Sequence, residues 1–99
     1  MIRHIVAWND KEGFSDLENQ ANVLKIKAEL ESLPKIIESI LEFRVYLKPL
    51  PSSGRTIILN SLFVSQEALV AYQIHPEHKR VAAFIGSVTQ DRVCIDYEE

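Results

Sequence analysis

The stretch "RTIILNSLFV", residues 55–64, is apolar on both of its faces. Side chains alternate along a β-strand. Ile57, Leu59 and Phe63 therefore point one way, and Ile58, Leu62 and Val64 the other. A strand of this kind needs cover on both sides. The need is a strong constraint, because 99 residues suit one domain and leave little material for covering layers. We expect residues 1–99 to form a single domain, with no internal repeat, low-complexity segment or linker.

The flanking segments supply the rest of the frame. "IRHIVAWN" (2–9) alternates and is rich in β-formers, which predicts strand one. One face carries Ile2, His4, Val6 and Trp8, and the other Arg3, Ile5, Ala7 and Asn9. "DKEG" makes a turn into a long helix over about residues 14–33. Ser15 and Glu18 have the spacing of a capping box, which starts the regular helix at Asp16. Leu17, Ala21, Leu24 and Ala28 form one apolar stripe, widened by Val23, Ile26, Leu30 and Leu33. Pro34 ends or restarts the helix, with "KIIESI" as a short extra turn.

"LEFRVYLKPL" (41–50) reads as strand two, and "PSSG" as the loop before strand three. Ser65 caps a second helix, "QEALVAYQI". Pro76 then begins a third, since proline is well tolerated at the first helical position. "TQDRVCIDYE" (89–98) is the last strand. Val93, Ile95 and Tyr97 share one of its faces; Arg92, Cys94 and Asp96 share the other.

The order is β-α-β-β-α-β, the α+β ferredoxin-like arrangement: a four-stranded antiparallel sheet with helices on one face. The uncovered face is expected to carry Ile57, Leu59, Val93, Ile95 and Tyr97. That is too much apolar surface for a monomer, so we expect a homodimer formed sheet to sheet. A net charge of −3 without a basic cluster gives no case for nucleic acid. No apolar run approaches the roughly 20 residues that cross a bilayer, so no membrane partner is expected. The opening "IRHIVAW" lacks the parts of a secretion signal, and Cys94, the single cysteine, permits no internal disulfide. A cytoplasmic location follows as the expectation.

The chemistry-bearing stretch is "AYQIHPEHKR", residues 71–80. With Pro76 first in its helix, His75 is the N-cap and His78 lies in the first turn. His78 shares a face with Val81, Ala82 and Ile85, the inward stripe. Tyr72 shares the inward stripe of the preceding helix with Ala68 and Leu69. His4, Tyr72, His78 and Asp96 are thus expected to converge between sheet and helices. An aspartate fixes the tautomer of a neighbouring histidine and raises its basicity. A tyrosine donates to a developing enolate or oxyanion. His78 oriented by Asp96 is the expected general base, Tyr72 the donor, and His4 the polar end of the pocket. Val6, Trp8, Leu24 and Val81 complete its expected lining.

No nucleophile is paired to a base, since Cys94 has no assigned histidine neighbour. No cofactor and no metal are expected. Metal-binding histidines commonly stand at i and i+4 of one helix, and Pro76 interrupts the helix between His75 and His78. A set of Cys94, a histidine and Asp96 has only a weak signal. Structural roles compete at each position. A histidine at a helix start satisfies buried polar groups, His4 in its strand can pair with Asp96 or a backbone carbonyl, a tyrosine fills a core, and His75 serves as a cap. Arg92 and Lys79 read as solvated charges.

"IRHIV", "EALVAYQIHPEHKRVAAFI" and "DRVCIDYE" resemble the stress-responsive A/B barrel domain family, called Dabb. The pattern spans nearly the whole chain, with residues 33–55 matching in little beyond length. The resemblance implies a ferredoxin-like homodimer whose two sheets make an α+β barrel. One branch of the family resembles polyketide cyclases that use a tyrosine and a histidine, matching Tyr72 and His78, without a cofactor. The strand-one histidine and terminal aspartate of that branch match His4 and Asp96. This chain departs by carrying Ile57 in place of a further histidine, and Leu17, Ala21 and Leu24 in place of pocket aromatics. Those departures point away from a polyketide.

Two functional expectations result. One is cofactor-free acid–base chemistry on a small carbonyl compound: enolisation, aldol cyclisation or isomerisation. The other is a non-catalytic module for small-molecule binding or stress response. A monooxygenase is a weaker alternative, resting on fold analogy.

Overall fold

Segments with a two-residue apolar period become strands, and those with a helical period become helices, in a computed structural model that describes residues 1–99. The elements are β1 (Ile2–Asp10), α1 (Asp16–Glu31), a 3-10 turn (Leu33–Lys35), β2 (Ile40–Tyr46), β3 (Ile57–Phe63), α2 (Gln66–Ile74), α3 (Pro76–Val88) and β4 (Thr89–Glu98). The strands form one antiparallel sheet in the order β2-β3-β1-β4. The helices pack on one face of it, which is the ferredoxin-like fold expected from the pattern. β2 stops at Tyr46, short of the expected end at residue 50. Pro49 and Pro51 follow closely, and proline has no N–H for a ladder.

Local chemistry sets the helix ends. Ser15 Oγ accepts from Glu18 N at 3.2 Å while the Glu18 carboxylate accepts from Ser15 N at 2.9 Å, the expected capping box. Ser65 Oγ accepts from Ala68 N at 3.1 Å and starts α2. His75 ends α2 and caps α3, its Nδ1 accepting from Glu77 N at 3.1 Å. In the turn before α1, Gly13 sits at φ +102°, a conformation that a side chain would strain.

Two expectations about facing are corrected. In α1, Ile26 and Leu30 are buried and Val23 is half-buried, whereas Leu17 and Leu24 are 78% and 63% exposed. Both arcs of the helix carry apolar residues, but only one side can meet the sheet. The arc through Ile26, Leu30 and Leu33 joins the core with Val45 and Phe63. In β3, Ile57 and Leu59 face the helices, not the open side. Pairing of Trp8 with Ile57 and Val6 with Leu59 puts all four on the core face.

The open face therefore carries Ile58, Asn60 and Leu62 from β3. Val93, Ile95 and Tyr97 do lie there, opposite Ala7, Ile5 and Arg3, and stay 37%, 53% and 48% exposed. At one end Arg3 donates to Glu42, Asn60 and Glu99, each at 2.9 Å. Leu62 stands between Arg3 and Glu42 in register, so their ion pair covers it. No helix is long and apolar enough to cross a membrane.

Candidate functional site

β4 is an outer strand, and from Asp91 onward its residues are exposed, those on the helix-facing side included. A cavity of about 300 Å³ opens beside it, between α3 and strands β1 and β4. Five expected residues line it: His4, Val6, Trp8, Tyr72 and His78. Leu24 does not, since it lies on the outer arc of α1. Val81 is fully buried in the core on the inward side of α3 and forms no part of the wall. Asp96 is not a wall residue either; it holds His4. The sequence reading missed Leu30, Leu59, Ile85 and Arg92 as wall residues. Arg92 was traceable, because strand alternation put it on the same face as Cys94 and Asp96.

The partner of Asp96 is the main correction. Its carboxylate bonds His4 Nδ1, not His78. Strand register decides this, for His4 and Asp96 are directly opposite across the β1–β4 ladder. A carboxylate in this pair accepts, so His4 Nδ1 carries the proton. His78 instead donates from Nδ1 to the Gln73 carbonyl at 3.0 Å. Carbonyls in the last turn of a helix lack intrahelical partners, and His78 satisfies one of them. Its Nε2 is thereby left unprotonated in the neutral ring.

Tyr72 is 1% exposed, with its ring 4.3 Å from that of His78 and 4.9 Å from that of Phe63, centroid to centroid. Its hydroxyl forms no hydrogen bond within the protein, unlike the buried Ser61, which donates to the His4 carbonyl at 2.6 Å. Burial pushes the Tyr72 phenol above its ordinary value, with the Arg92 charge opposing, so it remains a donor at neutral pH. Burial also lowers the His78 pKa, against the Gln73 bond, and keeps the ring neutral.

Cys94 does have a histidine neighbour after all: its Sγ lies 3.8 Å from His4 Nδ1 and 3.5 Å from Asp96 Oδ2. That nitrogen bears a proton and cannot take the thiol's. Burial and the Asp96 charge raise the Cys94 pKa, which disfavours the thiolate needed of a nucleophile. His4, Cys94 and Asp96 bring donor atoms within 4.8 Å of one another, the nitrogen, sulfur and oxygen set that could hold a zinc-type ion. The Arg92 charge beside the thiol works against a cation there. His75, occupied as a cap, does not pair with His78.

A ferredoxin-like sheet with one open face, and a tyrosine–histidine cavity under its helices, defines the class of α+β barrel domains. The chain belongs to the Stress Responsive A/B Barrel Domain family, Dabb, whose model matches residues 2–99. It is similar to a dimeric protein of unknown function and ferredoxin-like fold from Bacteroides fragilis NCTC 9343. The two are 28% identical, with a TM-score of 0.90 over 99% of this chain and 95% of that one. A Dabb family protein from Mesorhizobium loti is 24% identical, with a TM-score of 0.72 over 99% of this chain and 95% of that one. The hydroxynitrile lyase of Passiflora edulis is 22% identical, with a TM-score of 0.81 over 97% and 90% of the two chains. At these last two identities the likeness is one of fold. No curated protein matches the chain.

Proposed function

We propose that the cavity binds a small carbonyl compound and promotes its enolisation by proton transfer. The observation that carries this reading is the pairing, in one cavity, of an uncommitted Tyr72 hydroxyl with a His78 ring whose Nδ1 is already bonded. His78 Nε2 takes a proton from the carbon next to the carbonyl. The Tyr72 hydroxyl donates a hydrogen bond to the oxygen as negative charge moves onto it. Delivery of a solvent-derived proton to the same carbon gives exchange, and delivery of a proton to another carbon gives isomerisation. Attack of the enolate on a second carbonyl gives an aldol product. His4, fixed by Asp96, shapes the polar end of the cavity.

The test is loss of α-proton signal from small ketones in deuterated water, followed by NMR. Wild type is expected to accelerate exchange. His78→Asn and Tyr72→Phe are each expected to lose about 100-fold, the usual weight of one positioned proton-transfer group. A ketone that binds yet exchanges no faster than in buffer would favour the second reading, a non-catalytic binding module. That reading has support of its own, because Asp96 serves His4 and leaves His78 without a carboxylate to raise its basicity.

The protein also acts, in this proposal, as a homodimer through its open sheet face, as its similar structures described as dimeric do. A free, exposed Cys94 suits the reducing cytoplasm.

A further inference from the structure

We propose that Arg92 recognises an anionic group, so that the ligand of this cavity is a carbonyl compound bearing a carboxylate. The inference rests on the cavity being a ligand site, as above, and adds the chemical class of the ligand.

The backbone places Arg92 deliberately. Ala7 pairs with Val93, but Asn9 pairs with Gln90, so Asp91 and Arg92 together oppose Trp8 alone. This is a β-bulge, the device by which a strand re-aims a side chain. Asp91 takes the extra residue's strain at φ +58°, a left-handed conformation that aspartate tolerates better than most. Alternation from Cys94 already turns Arg92 to the helix side, and the bulge sets it beside Trp8, so both line the cavity.

Arg92 also has no carboxylate partner; its side-chain neighbour is the Cys94 thiol. Three of the other arginines have partners: Arg3 binds Glu42 and Glu99, Arg80 binds Glu29 and Glu77, and Arg55 donates to the Asp91 and Gly54 carbonyls. Arg44 also lacks an ion pair, but it lies on β2 and is no part of this cavity's wall. Arg92 enters no ion pair, although the chain has 14 acidic side chains to 11 basic ones. The nearby carboxylates are otherwise engaged. Asp96 accepts from His4, and Asp91 accepts from Asn9 Nδ2 at 3.2 Å. The Arg92 charge reaches Tyr72, His78 and Cys94, lowering the pKa of each, so the guanidinium acts on the same space as the proposed acid–base pair. A planar guanidinium takes a carboxylate through two parallel hydrogen bonds. A ligand held there by its carboxylate would extend its carbonyl toward Tyr72 and His78.

The probes are 3-benzoylpropanoate and 3-benzoylpropanamide, which share ring and ketone and differ in charge. Affinities are measured by calorimetric titration, and contact with the cavity by NMR shifts of Tyr72 and His78. Wild type should bind the carboxylate about tenfold more tightly than the amide, the usual weight of a charged hydrogen-bonded pair. Arg92→Met should bring the ratio to about one. Arg92→Lys, which keeps the charge but not the fork, should retain part of it. Equal binding of the two probes by wild type, or a ratio that survives Arg92→Met, overturns the inference and leaves the cavity reading intact. Failure of both probes to bind or to shift either resonance overturns both. If Arg92→Met does not fold, the wild-type ratio and the Arg92→Lys ratio still decide.

Discussion

At His78, burial and a hydrogen bond act on the proton in opposite directions, and burial is the larger. The folded pKa lies below the ordinary 6.5. As pH falls below 6.5, the unfolded chain takes the proton first, so folding stability declines through the window down to the folded value and then levels off. Above 6.5 the contribution is fully present. The base itself stays neutral to lower pH than a free histidine, so the acid limb of kcat/KM for exchange should fall below 6.5. Proton NMR titration of the His78 ring checks this, and a value at or above 6.5 would sink it. The sequence showed that Tyr72 and His78 point inward, because helix periodicity settles it. It did not show which histidine Asp96 serves. Both were plausible neighbours, and only the β1–β4 register selects His4.

The same difference between pattern and packing runs through the elements. Strand and helix order, the Ser15 box, the Ser65 cap and the His75–Pro76 joint were all legible, since each depends on neighbours in sequence. Facing was not legible where both sides of an element are apolar. Periodicity ranks an apolar face against a polar one, but it cannot choose between the arcs of α1 or the sides of β3. The packing makes a sharp contrast on α1. Ile26→Ala should destabilise the fold by about 3 kcal/mol, the transfer and cavity cost of a fully buried branched side chain. Leu24→Gln, two residues earlier, should change stability by no more than about 0.5 kcal/mol. Urea unfolding of the two variants measures both, and reversed values would refute the assigned arcs.

For the whole molecule, the need to cover an apolar sheet face was clear from composition and order, although two of the residues named for it were wrong. Ile95 stands near the middle of that face, opposite Ile5, and half of it remains exposed in one chain. Ile95→Glu should convert the dimer to a monomer in sedimentation velocity, whereas a wild-type monomer at micromolar concentration would exclude the shared face. The bulge at Asp91 has a consequence at this scale as well. β4 runs ten residues along the rim of the sheet, with one side of its backbone unpaired. A long straight rim offers a template on which further chains can add strand by strand, which is the route to fibrils. The kink and its inward-facing charge interrupt that template. Deleting Asp91 should therefore straighten the rim and produce thioflavin-positive aggregates in proportion to protein concentration, which would make the bulge beside the cavity a guard against polymerisation as well.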